Sequence, residues 1–234
     1  MKRLLIYIIL SILLESCIHV YFVAPGYLKN EGFSFRYIED KTNLNELLNI
    51  NGYYTTIDNL NSGCISCTNM NLLFFDDGMF VSGFANRVDS NHNEIGKVIP
   101  RYIDNVIEKR NDGIRDASFY KYSNWGYYQL FSDTIKIQQV HRPWFMDMDY
   151  NWYAYEIWFK IIDRNNIVEI NHFPIHKISD SDLKSYYERE KLKPEIKAYF
   201  RPLHQLPKSD GWLKYSKWFW NYKDEYKKWI KDSK

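Results

Sequence analysis

Two short spacings in this chain could do chemistry, and a third pair of acidic residues sits side by side. Cys64-Ile65-Ser66-Cys67 is a Cys-x-x-Cys. A redox dithiol needs its first sulfur at a helix N-terminus, where the backbone dipole stabilises the thiolate. A structural zinc needs four ligands. Here the pair lies in the polar run Asn61 to Asn71, and no second cysteine pair accompanies it. The simplest expectation is a short loop disulfide between Cys64 and Cys67 in an oxidising compartment, with free thiols or a redox or metal role as alternatives. His172-Phe173-Pro174-Ile175-His176 has the i, i+4 spacing of a zinc-binding helix. Pro174 breaks that helix, and no Glu follows the first His, so no metal is expected. Asp76-Asp77-Gly78 joins two carboxylates to a glycine between apolar runs, which suits a turn better than an acid/base pair.

Glycine-rich phosphate loops, Rossmann fingerprints and Gly-x-Ser-x-Gly elbows do not occur. No cofactor is expected. A Ser–His–Asp site assembled from scattered residues stays open as an alternative.

The elements that must carry these residues are mainly strands. Leu72 to Phe75 and Met79 to Phe84 flank Asp76-Asp77-Gly78 as a hairpin. Trp125 to Phe131 and Thr134 to Val140 flank Ser132-Asp133 as a second. In Trp152 to Ile162 the apolar set Tyr153, Tyr155, Ile157, Phe159 and Ile161 alternates with a set holding Glu156 and Lys160. That period of two predicts a half-exposed antiparallel strand. Asp163 to Asn166 then turns into Ile167 to Asn171. Asn51 to Ile57 and Ala198 to Arg201 complete the strand set. Three successive hairpins without βαβ alternation predict an antiparallel meander, closed as a barrel or packed as a sandwich.

Helical signals are few. Thr42 caps a turn with Leu44, Leu47 and Leu48; Pro100 opens a helix to about residue 110; Ser179 caps a short helix to Leu192. After Ser209-Asp210, Trp212, Tyr215, Phe219, Tyr222, Tyr226 and Trp229 fall at three- and four-residue steps. They form one aromatic stripe among lysines. Such a stripe either packs on the barrel or lies at a lipid surface.

Aromatic residues make up 18% of the 234 residues, with 20 Tyr and 8 Trp. Rings with a polar tip favour half-buried pleated surfaces. Thirty-one Lys and Arg against 29 Asp and Glu give a net charge of +2, not the strongly basic balance of a nucleic-acid-binding domain, so no nucleic-acid partner is expected.

Residues 1–16 have the layout of a secretory signal: Lys2-Arg3, the apolar run Leu4 to Leu14, and Ser16 before Cys17. Leu14, Ser16 and Cys17 resemble a bacterial lipoprotein signal; Glu15 stands where a small or aliphatic residue is usual. The resemblance implies that Cys17 becomes the lipid-bearing N-terminus at a cell-envelope membrane, the outer membrane first. An uncleaved helix over residues 4–24 is the alternative, since about 20 apolar residues span a bilayer; free secretion is a third. Residues 17–41 then form a tether, 42–201 the barrel and 202–234 a helical extension packed on it.

The helical turn, Asn51-Gly52-Tyr53-Tyr54 and the successive hairpins resemble lipocalin-like lipoproteins of bacterial envelopes over residues 50–201. Trp125-Gly126-Tyr127-Tyr128 before Thr134-Ile135-Lys136-Ile137 is similar to their mid-barrel hairpin. Gly52-x-Tyr54 replaces the Gly-x-Trp of true lipocalins. The resemblance implies a non-enzymatic, lipid-anchored barrel whose mouth takes a small apolar or amphipathic ligand, or whose surface meets a protein partner. Tyr54, Trp125 and Tyr128 are the candidate ligand-binding residues. Carbohydrate binding through exposed rings, and hydrolysis at an assembled site, are the other readings.

Overall fold

A computed structural model describes residues 26, 33–38, 42–56, 71–83, 118–142, 152–175, 178–190 and 195–233. Eight strands follow in chain order: β1 (Gly52–Thr55), β2 (Asn71–Phe74), β3 (Met79–Ser82), β4 (Asn124–Phe131), β5 (Thr134–His141), β6 (Tyr153–Asp163), β7 (Asn166–Pro174) and β8 (Lys197–Pro202). Each pairs antiparallel with the next, and β8 returns to β1 through Gly52↔Pro202 to Thr55↔Tyr199, so the sheet closes as a barrel. The three hairpins stand where the sequence places them. Gly78 has φ +83°, a conformation the tight turn requires and a side chain would strain.

Up-and-down topology gives the barrel two unlike ends. The tight turns at Asp76-Asp77, Ser132-Asp133 and Arg164-Asn165 share one end, called the floor here. The longer β1–β2, β3–β4, β5–β6 and β7–β8 connections all leave from the other end, the rim. Helix α1 (Leu44–Leu47) precedes β1 and sits at the floor. Its Leu44 and the following Leu48 join the barrel interior with no exposure. The guanidinium of Arg164 holds it there, donating to Glu46 O at 2.7 Å and Asn45 O at 3.0 Å.

Alternation along each strand builds two cores. One parity set from every strand, including Tyr54, Leu72, Phe80, Ile137, Ile157 and Ile167, fills the barrel. The opposite set from β1 to β3 and from the rim-ward parts of β4 to β6, including Tyr53, Leu73, Val81, Trp125 and Ala154, points outward yet is equally buried. Helix α2 (Ser118–Tyr122) and the two ends of the chain cover it.

Those two ends depart from expectation. Residues 33–38, anticipated as part of a tether, pack on the barrel: Phe33 and Tyr37 are 1% and 2% exposed, and Tyr37 bridges Trp220 in parallel. The aromatic stripe is not one helix. It forms two 3₁₀ turns, Trp212–Tyr215 and Lys217–Phe219, and then helix α4 (Lys223–Asp232). Ser216 and Trp220 are extended breaks. Aromatic residues lose rotamer freedom in helices, whereas each broken segment seats its ring with a polar partner. Trp212 Nε1 donates to Ser123 O at 3.2 Å and Trp220 Nε1 to Lys214 O at 2.8 Å. Gly211 lets the backbone lie directly on the Trp125 indole, where a Cβ would collide. Of the stripe, Trp212 and Phe219 are core, Tyr226 and Trp229 pack against it, and Tyr222 stays exposed.

Helix α3 (Asp180–Glu190) starts as the sequence indicates, with Ser179 Oγ accepting from Asp182 N at 3.2 Å. The expected helix over 100–110, the pair Cys64 and Cys67, Cys17 and His176 lie outside the described residues.

Candidate binding site in the rim half of the barrel

The inward-facing residues change character half-way along the strands. Towards the floor they are Phe74, Phe80, Tyr128, Ile135, Ile137, Ile157, Phe159 and Ile167, nearly all without exposure, while β2 stays apolar to its rim end at Leu72, opposite Ser82. Towards the rim the same inward rows continue as Ser82, Asn124, Gln139, His141, Tyr153, Tyr155 and His172. The register fixes this: Phe80↔Gly126↔Gln139↔Tyr155 is one row, Ser82↔Asn124 runs beside His141↔Tyr153, and Ile137↔Ile157↔His172 borders the apolar floor.

The rim residues bind one another. Ser82 Oγ donates to Gln139 Oε1 at 2.7 Å, and His141 Nδ1 lies 2.8 Å from Asn124 Oδ1. The Tyr153 ring stands 6.1 Å from His141 and 6.4 Å from Tyr155, and Tyr155 meets His172 edge-to-face at 5.1 Å. Asn124, His141, Tyr153, Tyr155 and His172 are half-buried. A barrel this small can be filled by side chains alone, and an apolar filling is the stable one because burying polar groups costs free energy. A polar, aromatic upper tier gives up that stability.

A β-bulge adds a carboxylate. Between Trp158↔Asn171 and Phe159↔Glu169 the register shifts by one, leaving Ile170 unpaired and half-exposed to solvent. Residues three apart in a regular strand face opposite ways. The extra residue turns Glu169 and His172 to the same inner face. Their Oε1 and Nδ1 atoms are 3.4 Å apart, with the Glu169 side chain 7% and the His172 side chain 17% exposed. Glu169 Oε2 and His172 Nε2 are buried and have no hydrogen-bond partner. β8 pairs with β7 only at Asn166 to Val168, before the bulge, and beyond it α3 lies beside β7. Tyr186 of α3 donates its hydroxyl to His172 O at 3.2 Å, its ring 6.1 Å from the imidazole.

The residues singled out from the sequence fall elsewhere. Tyr54 and Tyr128 are floor residues, 1% and 0% exposed. Tyr54 donates to Asn49 O and Arg164 O; Tyr128 donates to Phe75 O at 2.6 Å and touches Thr42 Oγ1. Burial pushes both phenols well above their usual range. Trp125 points outward, fully buried in the second core, its Nε1 donating to Phe119 O. Of the histidine pair, His172 is in the upper tier. Asp76 and Asp77 occupy the turn as expected, but Asp77 also works across the fold. Its Oδ2 accepts from Ser209 Oγ at 2.6 Å, Tyr37 OH at 3.2 Å and Lys214 Nζ at 2.6 Å, fastening both chain ends to the floor hairpin. Lys214 is 4% exposed and its ammonium lies over the Tyr37 ring.

Sequence reasoning missed Glu169, His141, Gln139 and Tyr155 as one group. The alternation in β6 signalled that Tyr155 faces inward, but nothing in the residue string marks a bulge at Ile170. Among the described residues no group of three or more His, Cys, Asp or Glu gathers as metal ligands. Neither a protein-family model, a curated protein nor a solved structure matches this chain.

Proposed function

We propose that this protein is a non-enzymatic envelope lipoprotein, tethered through Cys17, whose lipocalin-like barrel binds a small amphipathic molecule at its rim. The observation that carries the reading is the change of tier inside the barrel. The floor is dry and apolar, as a stability core requires. The rim half places hydrogen-bonding and aromatic side chains on the inner wall, where they meet whatever enters. Half-buried rings beside polar groups suit a ligand with both kinds of surface.

Native mass spectrometry of the full-length protein purified from its host tests this. The expected result is a bound small molecule, lost when Tyr155 and Gln139 are replaced by Leu. A single ligand-free mass from cells, with no small molecule bound by the unmodified barrel, overturns the reading.

The alternatives have less support. Sugar binding calls for open ring faces, yet on the bare outer wall the Lys136 ammonium lies 3.9 Å over Trp158. A hydrolytic Ser209 would need a base; the neighbouring Lys214 Nζ, at 3.2 Å, is committed to Asp77.

A further inference from the structure

We infer that Glu169 and His172, with Tyr155 and Tyr186, form a site for an organic ammonium group, so that the ligand of the barrel is amine-headed. This rests on the binding reading above and names the chemistry of its ligand. Buried carboxylates are normally paired or fully hydrogen-bonded, because an isolated charge in a low-dielectric interior is costly. Glu169 has one oxygen facing an imidazole at 3.4 Å and the other facing no donor at all. In the tautomer whose Nδ1–H points at the carboxylate, the ring presents Nε2 as an acceptor. The two orphan atoms, Oε2 and Nε2, are thus both acceptors. A group that satisfies them must donate at least twice, and the carboxylate favours one that is positively charged. An ammonium does both; an alcohol supplies one donor and no charge, and an anion is repelled.

The surrounding rings fit the same group. Tyr155 packs edge-to-face on His172, and Tyr186 approaches from α3. Aromatic walls beside a carboxylate are a favourable setting for a cation. Access is also built in. Of α3 residues 180–188 only Leu183 and Tyr186 are even half-buried, so little packing holds this helix over the pair. Its displacement moves Tyr186 off His172 without opening the eight-stranded ladder. The bulge at Ile170 is what places both groups on the inner wall.

Calorimetric titration of the full-length protein with hexylammonium, hexanol and hexanoate at neutral pH separates the possibilities. The expected order is hexylammonium about tenfold tighter than hexanol, the size of one charge-assisted hydrogen bond, with hexanoate weakest. Glu169→Gln keeps the shape and removes the charge; it should bring hexylammonium down to the level of hexanol and leave hexanol unchanged. His172→Gln, as a second variant, should weaken the ammonium alone. An ammonium preference that survives Glu169→Gln in folded protein, or hexanoate binding as well as hexylammonium, overturns the inference. Equal binding of all three probes defeats the ammonium assignment and leaves the binding barrel standing. Failure of all three defeats both.

Discussion

The two halves of one barrel interior are built to different ends. The floor half is a set of large apolar side chains with hardly any exposure, plugged by Leu44 and Leu48. Even its two phenols are satisfied, by backbone carbonyls of the neighbouring turns. The rim half, on the same strands and in the same alternation, carries Ser82, Asn124, Gln139, His141, Tyr155, Glu169 and His172. Two of its polar atoms are left unpaired. Strand geometry is indifferent to the distinction, since both halves obey the same ladder. The difference lies in what each gains from burial: the floor gains stability, and the rim gives some of it up for recognition.

The largest effects should come from the floor. Phe80→Ala should cost about 3–5 kcal/mol, because the closed wall cannot collapse around the void. Tyr155→Ala at the half-buried rim should cost less than half of that, by urea denaturation. Equal losses would erase the distinction. Lys214→Met should cost about 3 kcal/mol by stranding Asp77 with two neutral donors. It should also loosen the two ends of the chain, seen as faster amide exchange at Tyr37 and Trp220, while the rim residues keep their protection.

Alkali should attack the floor first. The folded phenols of Tyr54 and Tyr128 titrate above the unfolded value of about 10. Their contribution is therefore fully present below that value and is lost as pH rises through the folded one. Tyrosinate absorbance should show late-titrating groups that ionise only with unfolding, these two and the buried Tyr53 among them. Tyr54→Phe and Tyr128→Phe should each remove one of them.

The smallest effect sharpens the contrast most. Glu169→Gln should leave stability unchanged or raise it by about 1 kcal/mol, since it removes a buried charge lacking a full set of donors. A thermal melt in which this variant loses several degrees would place Glu169 with the floor as a structural residue.

Much of this architecture is legible in the residue string. Asp76-Asp77-Gly78 and Ser132-Asp133 mark their hairpins because turn chemistry is local. The alternation from Tyr153 to Ile161 marks β6 because one wet face imposes a period of two. The aromatic stripe misleads for a related reason. Its three- and four-residue steps satisfy a helix, but the curved outer wall offers separate sockets to Trp212, Phe219 and Trp220, and filling them outweighs a regular backbone. Residues 33–38 carry too little periodicity to reveal that Phe33 and Tyr37 would fill the remaining gaps.

Hairpins, strand parity and eight-strand antiparallel order are thus determined by the sequence itself, because each depends on neighbours within a few residues of one another. Only the tertiary structure decides that the outward residues on β1 to β3 and on the rim-ward parts of β4 to β6 are buried by the chain's own ends, and that Glu169 meets His172. Those outcomes depend on closure of β8 onto β1 and on one unpaired residue in β7. The first is a long-range pairing between strands too far apart in sequence to announce it; the second is a one-residue register shift within a hairpin, which no residue type marks.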